Sequence, residues 1–157
     1  MALHYEGSKA HADFFQTLTE SSLATLGAKH LELSVTLCDD ETIRPINLEW
    51  RGVDAATDVL SFPQLSLAPD AELPAAGEDG PPTSLGDIVI SEETAARQAV
   101  SVGHSLQQEL AVLFAHGLCH LLGHTHSTPR DTKAMAEAEA LFLPDSSGLV
   151  ARSGVLQ

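Results

Sequence analysis

The chain has 157 residues, 22 acidic against eight basic side chains and a formal charge of −14, which excludes a broad basic face for nucleic acid and predicts long-range repulsion of polyanions. Its length predicts one domain over residues 1–157 that buries roughly two-thirds of its unfolded surface without disulfides, and Cys38 and Cys119, outside any CxxC framework, read as reduced core thiols. A basic-then-apolar leader is not visible and no apolar run reaches the ~18 residues of a membrane span, so a soluble, cytoplasmic protein is expected.

LHYE, ahead of the first helix, can form a short strand. From Ser8 to about Leu26 the chain places Phe15, Leu18, Ser22 and Leu26 on one helical face and then meets Gly27, a C-cap residue type. In LELSVTLC, residues 31–38, Leu31, Leu33, Val35 and Leu37 alternate with Glu32, Ser34, Thr36 and Cys38, the pattern of a half-buried strand. Asp39 or Asp40 can N-cap a helix running toward Trp50, with Ile43, Ile46 and Trp50 facing inward; Pro45 opposes it by removing a donor and crowding the preceding turn. The apolar runs DVLSF (58–62) and DIVIS (87–91) read as buried strands. Between them, residues 64–84 hold prolines, glycines and acids without a period, and a long mobile loop is expected.

The remainder predicts helices. Ser91 with Glu92 and Glu93 opens one that Gly103 ends, and Ser105 with Gln108 forms a capping box for the next, Leu106 to Leu122, stopped at Gly123. Thr128, Pro129 and Asp131 open a third that ends before Pro144, and a loose tail is expected from Asp145.

The stretch HGLCHLLGHTH, His116 to His126, carries the chemistry. Residues four apart lie about 40° apart around a helix, so His116 and His120 project from one face one turn apart. Gly123 can reverse the chain and return His126 to the same point. Three imidazoles suit zinc first, with nickel or copper as alternatives, and leave a position for a metal-bound water whose pKa falls toward about 7. His124 could compete as a ligand, but its place beside the turn favours a wall or substrate-contact role. His4, His11, His30 and His104 lack partner spacing and read as surface or structural residues.

A zincin peptidase needs a glutamate directly after the first histidine, and here that residue is Gly117. The pattern keeps the metal and lacks the base. RNA cleavage fits, because a ribose 2′-hydroxyl or a metal hydroxide attacks the phosphorus while the protein supplies positioning and positive charge. Arg51, in the turn before DVLSF, is the best candidate cation.

HGLCHLLGHTH, preceded by WRG…TDVLSFP and by LGDIVIS, resembles the YbeY family of bacterial endoribonucleases, also described as ribosomal RNA maturation factors; the resemblance covers roughly residues 30–143. It implies an α+β fold, a small mixed sheet packed with helices and a zincin-like metal-binding helix. It also implies one zinc per chain on His116, His120 and His126, and a functional arginine at Arg51. The activity implied is single-strand-specific cleavage in 16S ribosomal RNA 3′-end processing and ribosome quality control, with ribosomal RNA and the small subunit and its proteins as partners, and neither membrane nor DNA. Arg97 joins Arg51 and His124 as a candidate substrate contact, with Arg44 the weaker third of the arginines.

Two positions depart from the family. Cys119 stands for the usual Leu and reads as a packing replacement, although a thiolate near the site could bind zinc. Thr125 stands for the usual Asp, and such a loss of charge around a metal site typically costs about 10- to 100-fold in affinity or activity. An assembly factor on the small subunit with a structural zinc is the alternative reading, favoured by the acidic composition; a metallopeptidase is the minor one.

Overall fold

The computed structural model of the chain describes residues 2–77 and 82–144; residues 78–81 of the long loop and the tail from Asp145 lie outside the described residues. The described residues form an α+β fold with a four-stranded mixed sheet and five α-helices. The strands are β1 (Leu3–Glu6), β2 (Glu32–Cys38), β3 (Val59–Pro63) and β4 (Ser84–Ser91), and the helices are α1 (Ala12–Thr25), α2 (Asp40–Arg51), α3 (Glu92–Val102), α4 (Leu106–Leu121) and α5 (Pro129–Phe142). The sheet order is β1-β2-β4-β3, with β2 parallel to β1 and β4, and β3 antiparallel to β4.

The alternation expected in residues 31–38 holds, with Leu31, Leu33, Val35 and Leu37 buried and the residues between them half-buried. On β4 the period of two divides neighbours between faces: Ile88 and Ile90 join the main core with α1, α4 and α5, while Val89 packs with Ile43 and Leu60 on the other side. β4 is therefore buried on both faces, as its continuous apolar run requires. β3 differs from the expectation: it is an edge strand in which Leu60 alone is buried, because among the described residues its outer side meets no further strand.

Caps set the helix bounds. Ser105 and Gln108 form the full capping box of α4, and the Asp39 and Ser91 side chains accept from Thr42 N–H and Thr94 N–H. At α5 the Thr128 hydroxyl accepts from Asp131 N–H at 3.0 Å. Pro45 does lie inside α2, which tolerates it because one lost ladder bond is offset by the Asp39 cap and by Ile43, fully buried one turn in.

Trp50 corrects another expectation. It is 65% exposed, since the last turn of α2 meets the sheet at edge strand β3, where the Phe62 ring lies edge-on at 5.6 Å. The described part of the 64–84 segment lies against the body, with Leu65, Leu67 and Leu73 packed on the main core and His30 Nε2–H donating to the Pro74 carbonyl at 2.6 Å.

Candidate metal centre

Helix α4 is apolar nearly all round because it is wrapped by β3, β4, α3 and α5, and this wrapping fixes its last turns, which carry His116 and His120. At Gly123, with φ of 99°, the chain reverses; a Cβ there would lie 2.2 Å from the Leu67 carbonyl oxygen, so both the conformation and the approach of the loop demand glycine. The reversal returns His126. Its Nε2 lies 3.4 Å from His116 Nε2, and His120 Nε2 lies 3.2 Å from the same atom. Among the described residues, these three form the group whose ligand atoms all fall within 4.8 Å of one another.

The far sides of the first two rings are held. His116 is buried and its Nδ1 lies 2.6 Å from a carboxylate oxygen of Glu139, a fully buried residue of α5. His120 Nδ1 lies 2.9 Å from the His124 carbonyl oxygen. Each Nδ1–H therefore donates to an oxygen, and the two Nε2 atoms face each other as lone pairs. Two acceptors at this distance cannot bond to one another; a cation between them satisfies both. Burial, reinforced by His116, lowers the His120 pKa to about 4, which keeps the ring neutral and ready to coordinate. The donor set fits a metal ion.

The remaining sequence candidates separate. Arg51 closes α2 just before the left-handed Gly52, where a cation complements the helix C-terminus, and lines the same cavity of about 660 Å³ as the three histidines. His124 lines that cavity too and stands outside the ligand group; its carbonyl, rather than its ring, meets His120. Burial lowers its pKa from the ordinary value. Thr125 is exposed on the cavity wall. Arg97 is not among the residues lining the cavity and donates to Asp40 at 2.7 Å, while Arg44 forms a two-pronged pair with Asp54 at 2.8 and 3.3 Å.

Cys119 is fully buried, and burial pushes its thiol far up, so it packs rather than ligates. Burial beside Asp39 and Asp40 pushes the Cys38 thiol up to about 11. Gly117 faces the sheet: a Cβ there would come 2.9 Å from an Ile88 methyl, and the Ser61 hydroxyl donates to the Gly117 carbonyl at 3.2 Å. A side chain at 117 would crowd Ile88 and Ser61, and the glycine there supplies no peptidase base.

Two site residues escaped the sequence reading. Glu139 lies beyond His126 in the chain, on another helix, and only the packing of α5 on α4 brings it behind His116. Asp58, buried on the cavity wall, accepts from Val59 N–H at 2.7 Å and from the Gln98 amide at 3.1 Å, tying the start of β3 to α3. Its only signal was the D of TDVLSFP.

Fold and site together define an α+β protein with a three-histidine group that could hold a metal ion and an arginine lining the same pocket. The family model described as Endoribonuclease YbeY matches residues 4–146. The chain is 47% identical over 144 residues to "Endoribonuclease YbeY" of Myxococcus xanthus, covering 90% of this chain and 46% of that protein. It is 42% identical over 141 residues to the same-named protein of Symbiobacterium thermophilum, covering 87% and 88%. It is also 43% identical over 145 residues to "Endoribonuclease YBEY, chloroplastic" of Arabidopsis thaliana, covering 91% of this chain and 23% of that protein. The chain thus spans less than half of the Myxococcus relative and most of the Symbiobacterium one. The solution structure of TM1509 from Thermotoga maritima shares the fold, with a TM-score of 0.56 at 20% identity over 89% of this chain and 88% of that one. The chain belongs to the endoribonuclease YbeY family and, with it, to the hydrolases that act on RNA. Among the described residues, no helix is long and apolar enough to cross a membrane.

Proposed function

We infer that this pocket cleaves single-stranded RNA with one zinc ion, and that its substrate is ribosomal RNA, in 16S 3′-end maturation and ribosome quality control. In this reading the protein works in the cytoplasm, on the small subunit and its proteins. The observation that carries the reading is the convergence of three imidazole nitrogens, at 3.2 and 3.4 Å from the shared His116 Nε2, in the cavity that Arg51 also lines. Zinc–nitrogen bonds of about 2.0–2.1 Å in a tetrahedron put neighbouring ligand nitrogens about 3.3–3.4 Å apart, which supports zinc, with nickel or copper as in-vitro substitutes. When bound, the ion supplies Lewis-acid polarisation and a water activated near neutral pH.

The residues of the chain do the rest. Glu139 and the His124 carbonyl hold two rings so that their Nε2 atoms face the ion. Arg51 offers a planar, permanently charged fork to the scissile phosphate, and among the described residues no ion pair engages it. His124 on the cavity wall is a further substrate contact. Arg97, spent on Asp40, serves RNA only if that pair opens.

One set of observations favours a second reading, a small-subunit assembly factor with a structural zinc: the charge is −14, and Arg44 and Arg97 are both held by aspartates. Elemental analysis of wild type and His120→Ala, followed by cleavage of ribosomal RNA under chelation and zinc restoration, separates the two. About one zinc per chain, lost in the variant together with cleavage, is the expected result. One zinc without cleavage makes the protein an assembly factor, and no metal at all ends both readings.

A further inference from the structure

The metal centre leaves unused the most conspicuous side chain on its rim. Trp50, the single tryptophan of the sequence, stands 65% exposed directly before Arg51 and lines the same cavity as the three ligands. The Phe62 ring lies 5.6 Å from it at 68°, an edge-on contact that orients the indole and leaves part of it open. Leu48 and Val53, also exposed on this part of the chain, are not among the residues lining the cavity. An apolar docking face for a protein would draw on all three. The indole alone is turned to the chemistry.

We propose that Trp50, braced by Phe62, is the platform on which an unpaired base of the substrate strand stacks beside the phosphate at the metal centre. The proposal rests on the RNA reading above and says how an acidic protein holds RNA at all. With a charge of −14 and two of the three candidate arginines paired to aspartates, Coulomb attraction contributes little, and contact must come from a source that charge does not oppose. Stacking on an aromatic face is such a source: it tolerates any base, and it requires the base to be out of a duplex. Because Trp50 and Arg51 are consecutive, a phosphate taken by Arg51 leaves a neighbouring base within reach of the indole. Selection for single strands is then a property of this rim rather than of the histidines.

As Trp50 is the only tryptophan, the intrinsic fluorescence of the full chain reports on it alone. The zinc-loaded protein is titrated with a 5′-labelled six-nucleotide 2′-O-methyl oligoadenylate and, separately, with its duplex, reading label anisotropy and tryptophan emission together. The single strand is expected to bind and quench Trp50, and the duplex to do neither. Trp50→Ala should weaken single-strand binding by roughly 5- to 150-fold with zinc content unchanged, while Trp50→Phe retains most of the affinity. Equal binding to wild type and Trp50→Ala overturns the platform and leaves the RNA reading standing, as does equal quenching by the duplex. No anisotropy change with wild type removes the RNA reading itself.

Discussion

The two walls of the metal pocket are built on opposite terms. On the α4–α5 side, His116 is buried against a fully buried Glu139, and His120 is pinned by the His124 carbonyl. On the α2–β3 side, Arg51 and Trp50 are exposed at the last turn of a helix. A metal ion binds well only where ring orientations are set beforehand, so its wall uses buried partners that take up the second nitrogens. A nucleic-acid strand must enter and leave, so its contacts belong on the surface, where side chains keep rotamer freedom until the strand arrives. Substitutions on one wall should therefore move metal affinity, and on the other, catalysis and substrate binding.

The largest separation is expected from Arg51→Ala. Cleavage should fall by about 100- to 1,000-fold, the usual cost of removing a preorganised charge from a transition state, with zinc content and melting temperature as in wild type. Single-turnover cleavage alongside elemental analysis checks this, and undiminished cleavage would take Arg51 out of the mechanism. Glu139→Gln is the converse variant on the other wall. It keeps the size of the side chain and removes the carboxylate behind His116, so zinc affinity measured by chelator competition should drop by about 10- to 100-fold. Wild-type affinity in that variant would reduce α5 to packing.

Smaller effects lie away from the pocket. Asp40 accepts from the Ser91 and Thr94 hydroxyls, each at 2.6 Å, and from Arg97, which together hold its carboxyl down to about 2. A carboxyl lower in the folded chain than its ordinary value stabilises above that value, so the contribution is present above about pH 4 and lost as pH falls toward 2. Melting temperatures measured between pH 5 and 2 should decline less steeply for Asp40→Asn than for wild type, with little change in zinc affinity at neutral pH. Parallel curves would mean that the network linking α2 to α3 gains nothing from ionisation.

Much of the fold was readable because its signals are local. The alternation of 31–38, the cap residues Asp39, Ser91 and Ser105, and the glycines at 27, 103 and 123 each act through the backbone within a few residues. The convergence of the three histidines was readable for the same reason: one helical turn separates the first pair, and one glycine turn returns the third. Trp50 was misplaced because helical period tells which side of α2 a residue occupies, not whether the sheet extends beneath it. Arg97 reads as a free cation until the fold sets Asp40 against it.

By itself, then, the sequence determined which three histidines converge, the helix that carries two of them and the lack of a peptidase base, since covalent geometry fixes which residues share a helical face. Tertiary structure alone decided what stands behind and opposite those ligands: Glu139 from another helix, a carbonyl that no residue type announces, and the rim of Arg51 and Trp50 across the cavity. Such contacts depend on how helices and sheet pack in space, and packing joins residues whose separation along the chain carries no period.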